Sequence, residues 1–306
     1  MQLYRIRCLL CALLLGLPLS ATHAAGGGDP ILAARDAVQR GDRAKLARQL
    51  EAARGHVLAP YVEYWLLQLR LQEVDSAEPR DFLARHAGTY LADKLRGEWL
   101  KVLGKRREWD AFEAEQPPLV QTDQEITCYA LQNRLRLADL GALEEARPMW
   151  FAAAELPEAC VPVMEQLIAD KRLGTDDIWE RMRRLLEAKK LGAAKLTAAY
   201  LPASHAPAAK TLDAIADKPM RHLAMLPAGF AASRQGREMA LFAVQRTARI
   251  DPLQAAQQWD GIKDKFSAAD RGYIYGQLGW QGALKHLPEA AGWYALSGSA
   301  PLSEEQ

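Results

Sequence analysis

The sequence predicts an all-α chain of short helices stacked pair on pair as an α-solenoid. Apolar residues recur every three to four positions along nearly its whole length, which is the spacing of one helix face. β-branched residues never alternate over more than three or four positions, so no strand is expected. About fifteen helical segments joined by connections of two to six residues suit stacked helical pairs rather than a bundle. Hydrophobic residues make up 49% of the 306 positions, enough for a continuous core, and no linker marks a second globular domain. A fixed 34-residue period is missing; partial echoes such as Gly141-Ala142-Leu143-Glu144-Glu145-Ala146 indicate degenerate helix-turn-helix units.

Residues 1–24 read as a secretory signal peptide. Arg5 and Arg7 form the positive start, Cys8 to Leu19 the apolar run, and Thr22-His23-Ala24 the cleavage site. The apolar run is too short to span a membrane and contains Pro18, so no anchor is expected. Gly26-Gly27-Gly28 is a leader, and Asp29-Pro30 opens the first helix with Pro at a favoured position.

Helices are then expected over 31–40, closed by Gly41, over 44–54, closed by Gly55, over 61–72, and over 80–86 before Gly88. In 91–104 the residues Leu91, Leu95, Trp99, Leu100 and Leu103 share one face and Gly104 reads as the stop. A short helix from Trp109 runs toward Pro117-Pro118. Further helices are expected over 125–140 (stop at Gly141), 143–154, 159–170 (stop near Gly174) and 175–190 (Thr175 as cap, Gly192 as stop). Alanine-rich pieces at 193–201 and 206–216 are broken up by Pro202, Pro207, Pro219 and Pro227. Long helices follow over 233–250, from Asp251-Pro252, over 268–284 and over 288–296. Pro301 to Gln306 reads as the first turn of another helix, with Ser303 as its cap, so the domain at 25–306 is expected to be truncated.

Removal of residues 1–24 takes away two arginines and two of the four cysteines, leaving acidic and basic groups nearly balanced. That balance gives no reason to expect nucleic acid or an anionic membrane surface as partner. Cys128 and Cys160 then form an even pair in an oxidising compartment and read as a disulfide, with two buried free thiols as the alternative.

The segment Asp81-Phe82-Leu83-Ala84-Arg85-His86, followed by L-A-D-x-L-R-x-E-W-L-K-x-L-G-K from Leu91 to Lys105 and then Trp109, resembles the helical N-terminal region of the soluble lytic murein transglycosylases of Gram-negative bacteria. The likeness continues through Cys128-Tyr129, Arg134, Ala138, Trp150, Pro157-Glu158-Ala159-Cys160 and Pro301-Leu302-Ser303. It implies a ring- or U-shaped superhelical scaffold in the periplasm, glycan strands of peptidoglycan as partner, and a disulfide between Cys128 and Cys160. Enzymes of this family cleave between N-acetylmuramic acid and N-acetylglucosamine with one Glu and form a 1,6-anhydro product. Their Glu-Ser motif and downstream Gly-Leu-Met-Gln motif do not occur in these 306 residues, so no catalytic residue is assigned and the chain is expected to be inactive alone. The other reading is a stand-alone periplasmic module that binds proteins on a concave helical surface, as tetratricopeptide arrays do.

No other chemistry stands out. His56, His86, His205, His222 and His286 are scattered without metal-ligand spacing and read as surface or locally satisfied residues, and no metal or cofactor is expected. Lys105-Arg106-Arg107 and the Arg181, Arg183, Arg184 cluster read as helix-end and surface charges, with contact to anionic glycan peptides as the alternative. The eight tryptophans, about one per helical pair, read as core wedges. The cluster Tyr273, Tyr275, Trp280, Trp293 and Tyr294 is where a sugar-facing surface is expected, with Tyr273, Tyr275 and Trp280 as candidate contacts.

Overall fold

A computed structural model describes residues 29–300, so the signal peptide expected at 1–24 and the helix start expected at 301–306 lie outside the described residues. The described residues are all-α, with no strand and with seventeen α-helices, slightly more than the spacing of apolar residues suggests. They fall into two compact units, Met1–Glu98 and Trp99–Gln306.

In the first unit, α1 (Pro30–Gln39), α2 (Arg43–Ala52) and α3 (Ala59–Gln68) pack sequentially, followed by α4 (Ala77–Arg85) and the first part of α5 (Tyr90–Arg106). Asp29 accepts from the Ile31 N–H at 2.8 Å, the cap that Asp29-Pro30 leads one to expect. Ile31, Ala34, Ala37, Leu46, Ala53 and Val62 form the core, with Val38, Leu50, Trp65 and Leu66 packed against it. Arg43 forks onto Glu73 and the Leu69 carbonyl, and Arg85 bridges Glu63 and Asp81.

The second unit continues with α6 (Trp109–Glu115), α7 (Gln124–Arg136), α8 (Gly141–Trp150), a 3₁₀ turn at Glu158–Cys160 and α9 (Val161–Ala169). Then come α10 (Thr175–Glu187), α11 (Leu191–Ala198), α12 (Ala209–Asp217) and α13 (Pro219–Ala224). After a turn at Phe230–Ala232 follow α14 (Arg234–Ile250), α15 (Pro252–Asp260), α16 (Ala268–Leu284) and α17 (Ala290–Ser297). Most helices pack on their sequence neighbours, as stacked pairs do; α14 also meets α10, α12 and α16 and is buried almost all round. The disulfide Cys128–Cys160 is formed, with Cα atoms 4.9 Å apart, and ties α7 to the 3₁₀ turn before α9. Trp99, Trp150, Trp179 and Trp259 are buried wedges, whereas Trp65, Trp109, Trp280 and Trp293 are half-buried.

The helix stops differ from the expected glycines. Gly41, Gly55 and Gly88 do take positive φ, but Gly104, Gly141, Gly174 and Gly192 do not end helices. The chain turns left-handed instead at Arg107, past Gly104, and at Ala138, Lys171 and Lys189, each ahead of the expected glycine, with φ between 55° and 62°. Each such residue is followed by an N–H that reaches back across the last turn: Glu108 to Leu103 O at 2.9 Å, Asp139 to Arg134 O at 3.0 Å, Arg172 to Leu167 O at 2.9 Å and Lys190 to Leu185 O at 2.7 Å. This is the Schellman closure, here made without glycine. Gly141 and Gly192 instead lie in the first turns of α8 and α11, and Gly174, not Thr175, is the cap of α10, its N–H donating to Asp177 Oδ2 at 2.7 Å. Gly104 lies inside α5 because Tyr129 occupies the place of its side chain: a Cβ there would stand 2.3 Å from the ring.

Candidate functional site

The expected sugar-facing cluster lies on α16 and α17. Helix α16 opens at Ser267, whose hydroxyl accepts from the Asp270 N–H at 3.1 Å and donates to its carboxylate at 2.8 Å. Tyr273 and Tyr275 are two residues apart on a helix, so they point about 160° away from each other. Tyr273 faces the interior, beneath the Arg183 guanidinium at 5.3 Å, and burial pushes its hydroxyl pKa up. Tyr275 lies toward Lys263, and Trp280 is half-buried. Trp293 and Tyr294 press on α16 where it lacks side chains, since a Cβ at Gly282 or Gly279 would stand 2.8 Å from their rings. The five aromatics therefore do not form one exposed face. Beside Tyr273 is an internal cavity of about 10 Å³, lined by Trp179, Met182, Glu238 and Phe242, too small for a sugar ring.

The charges around Tyr273 form a connected network in the second unit. Arg183 on α10 donates to both oxygens of Glu238 on α14, at 2.6 and 3.0 Å, and to Asp270 on α16. Arg234 also donates to Glu238 and reaches Asp176 at 3.2 Å. Glu238 is 4% exposed. Burial opposes the Arg183 charge, but the two carboxylates outweigh it and hold the guanidinium protonated. Burial would likewise raise Asp270, yet Arg183 and Ser267 hold its carboxyl below the usual carboxylate range. The arrangement clamps three helices together.

The reading as surface charges is corrected for Arg181 and Arg183, whereas Arg184 is exposed, as expected. Arg181 is 4% exposed and donates to the carbonyls of Trp150, Ala152 (3.2 Å) and Ala154 (3.3 Å), capping the negative end of α8. Arg184 donates to the Phe151 carbonyl at 2.9 Å and to Glu180 at 2.6 Å. Sequence spacing hides this because each partner carbonyl lies about thirty residues back in the chain. Lys105, Arg106 and Arg107 are exposed at the end of α5, as expected.

A larger open cleft of about 600 Å³ lies between α13, the Phe230 turn and the start of α14, lined by His222, Leu226, Pro227, Phe230, Ser233 and Met239. Burial pushes the His222 pKa down, and its Nε2 is enclosed without a hydrogen-bond partner among the described residues. Of the other histidines, His86 meets Glu63 at 3.2 Å and His56 accepts from the Leu58 N–H at 3.1 Å. Among the described residues no three His, Cys, Asp or Glu side chains are grouped to hold a metal ion, and no helix is long and apolar enough to cross a membrane.

No protein-family model matches the chain, and no curated protein matches it in sequence. Solved structures do match. The lytic transglycosylase Slt of Pseudomonas aeruginosa, in an inactive mutant form, superposes with a TM-score of 0.62 at 22% identity over 88% of this chain. The chain folds like part of a soluble lytic transglycosylase. The 70-kDa soluble lytic transglycosylase of Escherichia coli matches with a TM-score of 0.60 at 18% identity over 90% of the chain. The same kind of enzyme in complex with bulgecin A gives 0.59. The chain spans 44% to 45% of the length of these structures. The fold expected from the 81–109 resemblance is therefore the fold found.

Proposed function

We propose that the chain is the superhelical scaffold region of a periplasmic lytic transglycosylase, and that it holds glycan strands of peptidoglycan while the bond between N-acetylmuramic acid and N-acetylglucosamine is cut by residues outside these 306. The observation that carries this reading is the fold likeness over 88% of the chain. The resemblance of the run from Leu91 to Trp109 to the helical region of that family also supports it. The Arg183 clamp, the Arg181 cap and the disulfide suit a rigid support. Residues 1–24 are read as the export signal, and the cysteine pair suits an oxidising compartment.

The reading is tested by osmotic-shock fractionation of cells with immunodetection, together with chromatography of sacculi incubated with the purified protein. We expect the protein in the periplasmic fraction and no release of 1,6-anhydro-muropeptides. Retention in the cytoplasm overturns the localisation. Anhydro products overturn the assignment of cutting to residues outside the chain.

A further inference from the structure

Among the described residues only two Phe, Tyr or Trp rings are exposed: Tyr90, at 63%, and Tyr61, at 39%. Both belong to the first unit, far in sequence from the α16 cluster. They lie on helix faces that polar contacts turn toward each other. Tyr64 on α3 donates its hydroxyl to Glu98 Oε1 on α5 at 2.6 Å, Gln68 donates to the same oxygen at 2.9 Å, and Lys94 Nζ stands 5.5 Å over the Tyr64 ring. Tyr61 lies about 60° from Tyr64 and about 20° from Gln68 around α3; Tyr90 lies about 40° from Lys94 and about 80° from Glu98 around α5. Tyr64 faces Lys94 and Glu98, and Gln68, one turn on, still reaches Glu98. Tyr61 and Tyr90 thus fall at the same end of this strip.

At 1.5 Å of rise per residue, Tyr61 lies about 10 Å from Gln68 and Tyr90 about 12 Å from Glu98, the length of about two pyranose rings. The strip has exposed rings at one end, an exposed ammonium at Lys94, and a carboxylate and amide fixed against each other at the other end. The Tyr90 end is held firmly, because Thr89 donates to the His86 carbonyl at 2.7 Å and accepts from the Ala92 N–H at 3.2 Å. A tyrosine offers an apolar face to the C–H face of a sugar and a hydroxyl to its rim. The Lys94 ammonium complements the lactyl carboxylate that muramic acid carries once its peptide is removed. We propose that Tyr61 and Tyr90 form a stacking platform for the aminosugar strand of peptidoglycan, with Lys94 as its anion contact. This rests on the peptidoglycan reading above.

The test is calorimetric titration of the full-length protein with glycan strands freed of their peptides by amidase. Melting temperatures and co-sedimentation with intact sacculi are recorded alongside. Tyr90→Ala should weaken strand binding about tenfold, as a lost ring contact predicts, and Tyr61→Ala about threefold. The melting temperature should be unchanged for Tyr90→Ala, whose ring is exposed, and slightly lowered for Tyr61→Ala, whose ring meets Trp65 at 6.1 Å, and Tyr90→Phe should bind like the natural protein. Natural affinity in the double alanine variant overturns the platform while leaving the scaffold reading intact. Failure of the natural protein to bind either sacculi or strands overturns both.

Discussion

Replacing Arg183 by Met should cost about 3 kcal/mol of stability. Removing one partner of a buried ion pair costs about 3–5 kcal/mol, because the remaining charge is left without compensation. Here Glu238 stays buried but keeps Arg234, which places the loss toward the lower end. For a unit of this length the melting temperature should fall by about 6–12 °C. The pH dependence distinguishes this mechanism from simple loss of packing. In the natural protein the Asp270 carboxyl is depressed, so its contribution is present at neutral pH and is lost as pH falls below the usual carboxylate pKa. Without Arg183, burial dominates and raises Asp270 above its unfolded value; the charged form then destabilises, and acidification relieves it. The stability gap should therefore narrow between pH 7 and pH 4. Urea unfolding followed by circular dichroism at both pH values measures it. A loss below 1 kcal/mol at pH 7, or a gap that does not change with pH, refutes the clamp.

Gly104→Ala should destabilise by about 1–3 kcal/mol, because the new methyl must displace the Tyr129 ring; thermal denaturation checks it, and an unchanged melting temperature rules out the close approach. Replacing both Cys128 and Cys160 by Ala should cost about 3–4 kcal/mol from the loop that the bridge closes, and the denaturant midpoint of the natural protein should fall to that of the variant only when reductant is added. Ala138→Gly should stabilise by up to about 1 kcal/mol, since glycine carries no side-chain penalty at φ 61°; a lower denaturation midpoint contradicts the left-handed turn.

The helices themselves were legible because their apolar faces repeat locally: Leu91, Leu95, Trp99 and Leu103 need no distant information to define one stripe. The caps at Asp29 and Asp251 were visible for the same reason, through Asp29-Pro30 and Asp251-Pro252, whereas Ser233 was read as already inside its helix. What escaped depends on partners far along the chain. Gly104 looks like a stop until Tyr129 arrives to fill its place. Arg183 looks like a surface charge because Glu238 and Asp270 lie 55 and 87 residues away. Left-handed turns at Ala138 and Lys171 are hidden because a penalty of about 1–2 kcal/mol is offset by closures that only the folded turn makes. The aromatic cluster on α16 misled by composition: Tyr273 and Tyr275 are adjacent in text but opposed on the helix, whereas Tyr61 and Tyr90, 29 residues apart by their numbers, stand exposed on facing stripes.

The central claim is that this chain holds peptidoglycan without cutting it, and co-sedimentation of the purified protein with sacculi tests it most directly. The account predicts saturable pelleting with the sacculi and a supernatant free of 1,6-anhydro-muropeptides. Protein that stays in the supernatant at every sacculus concentration would contradict it.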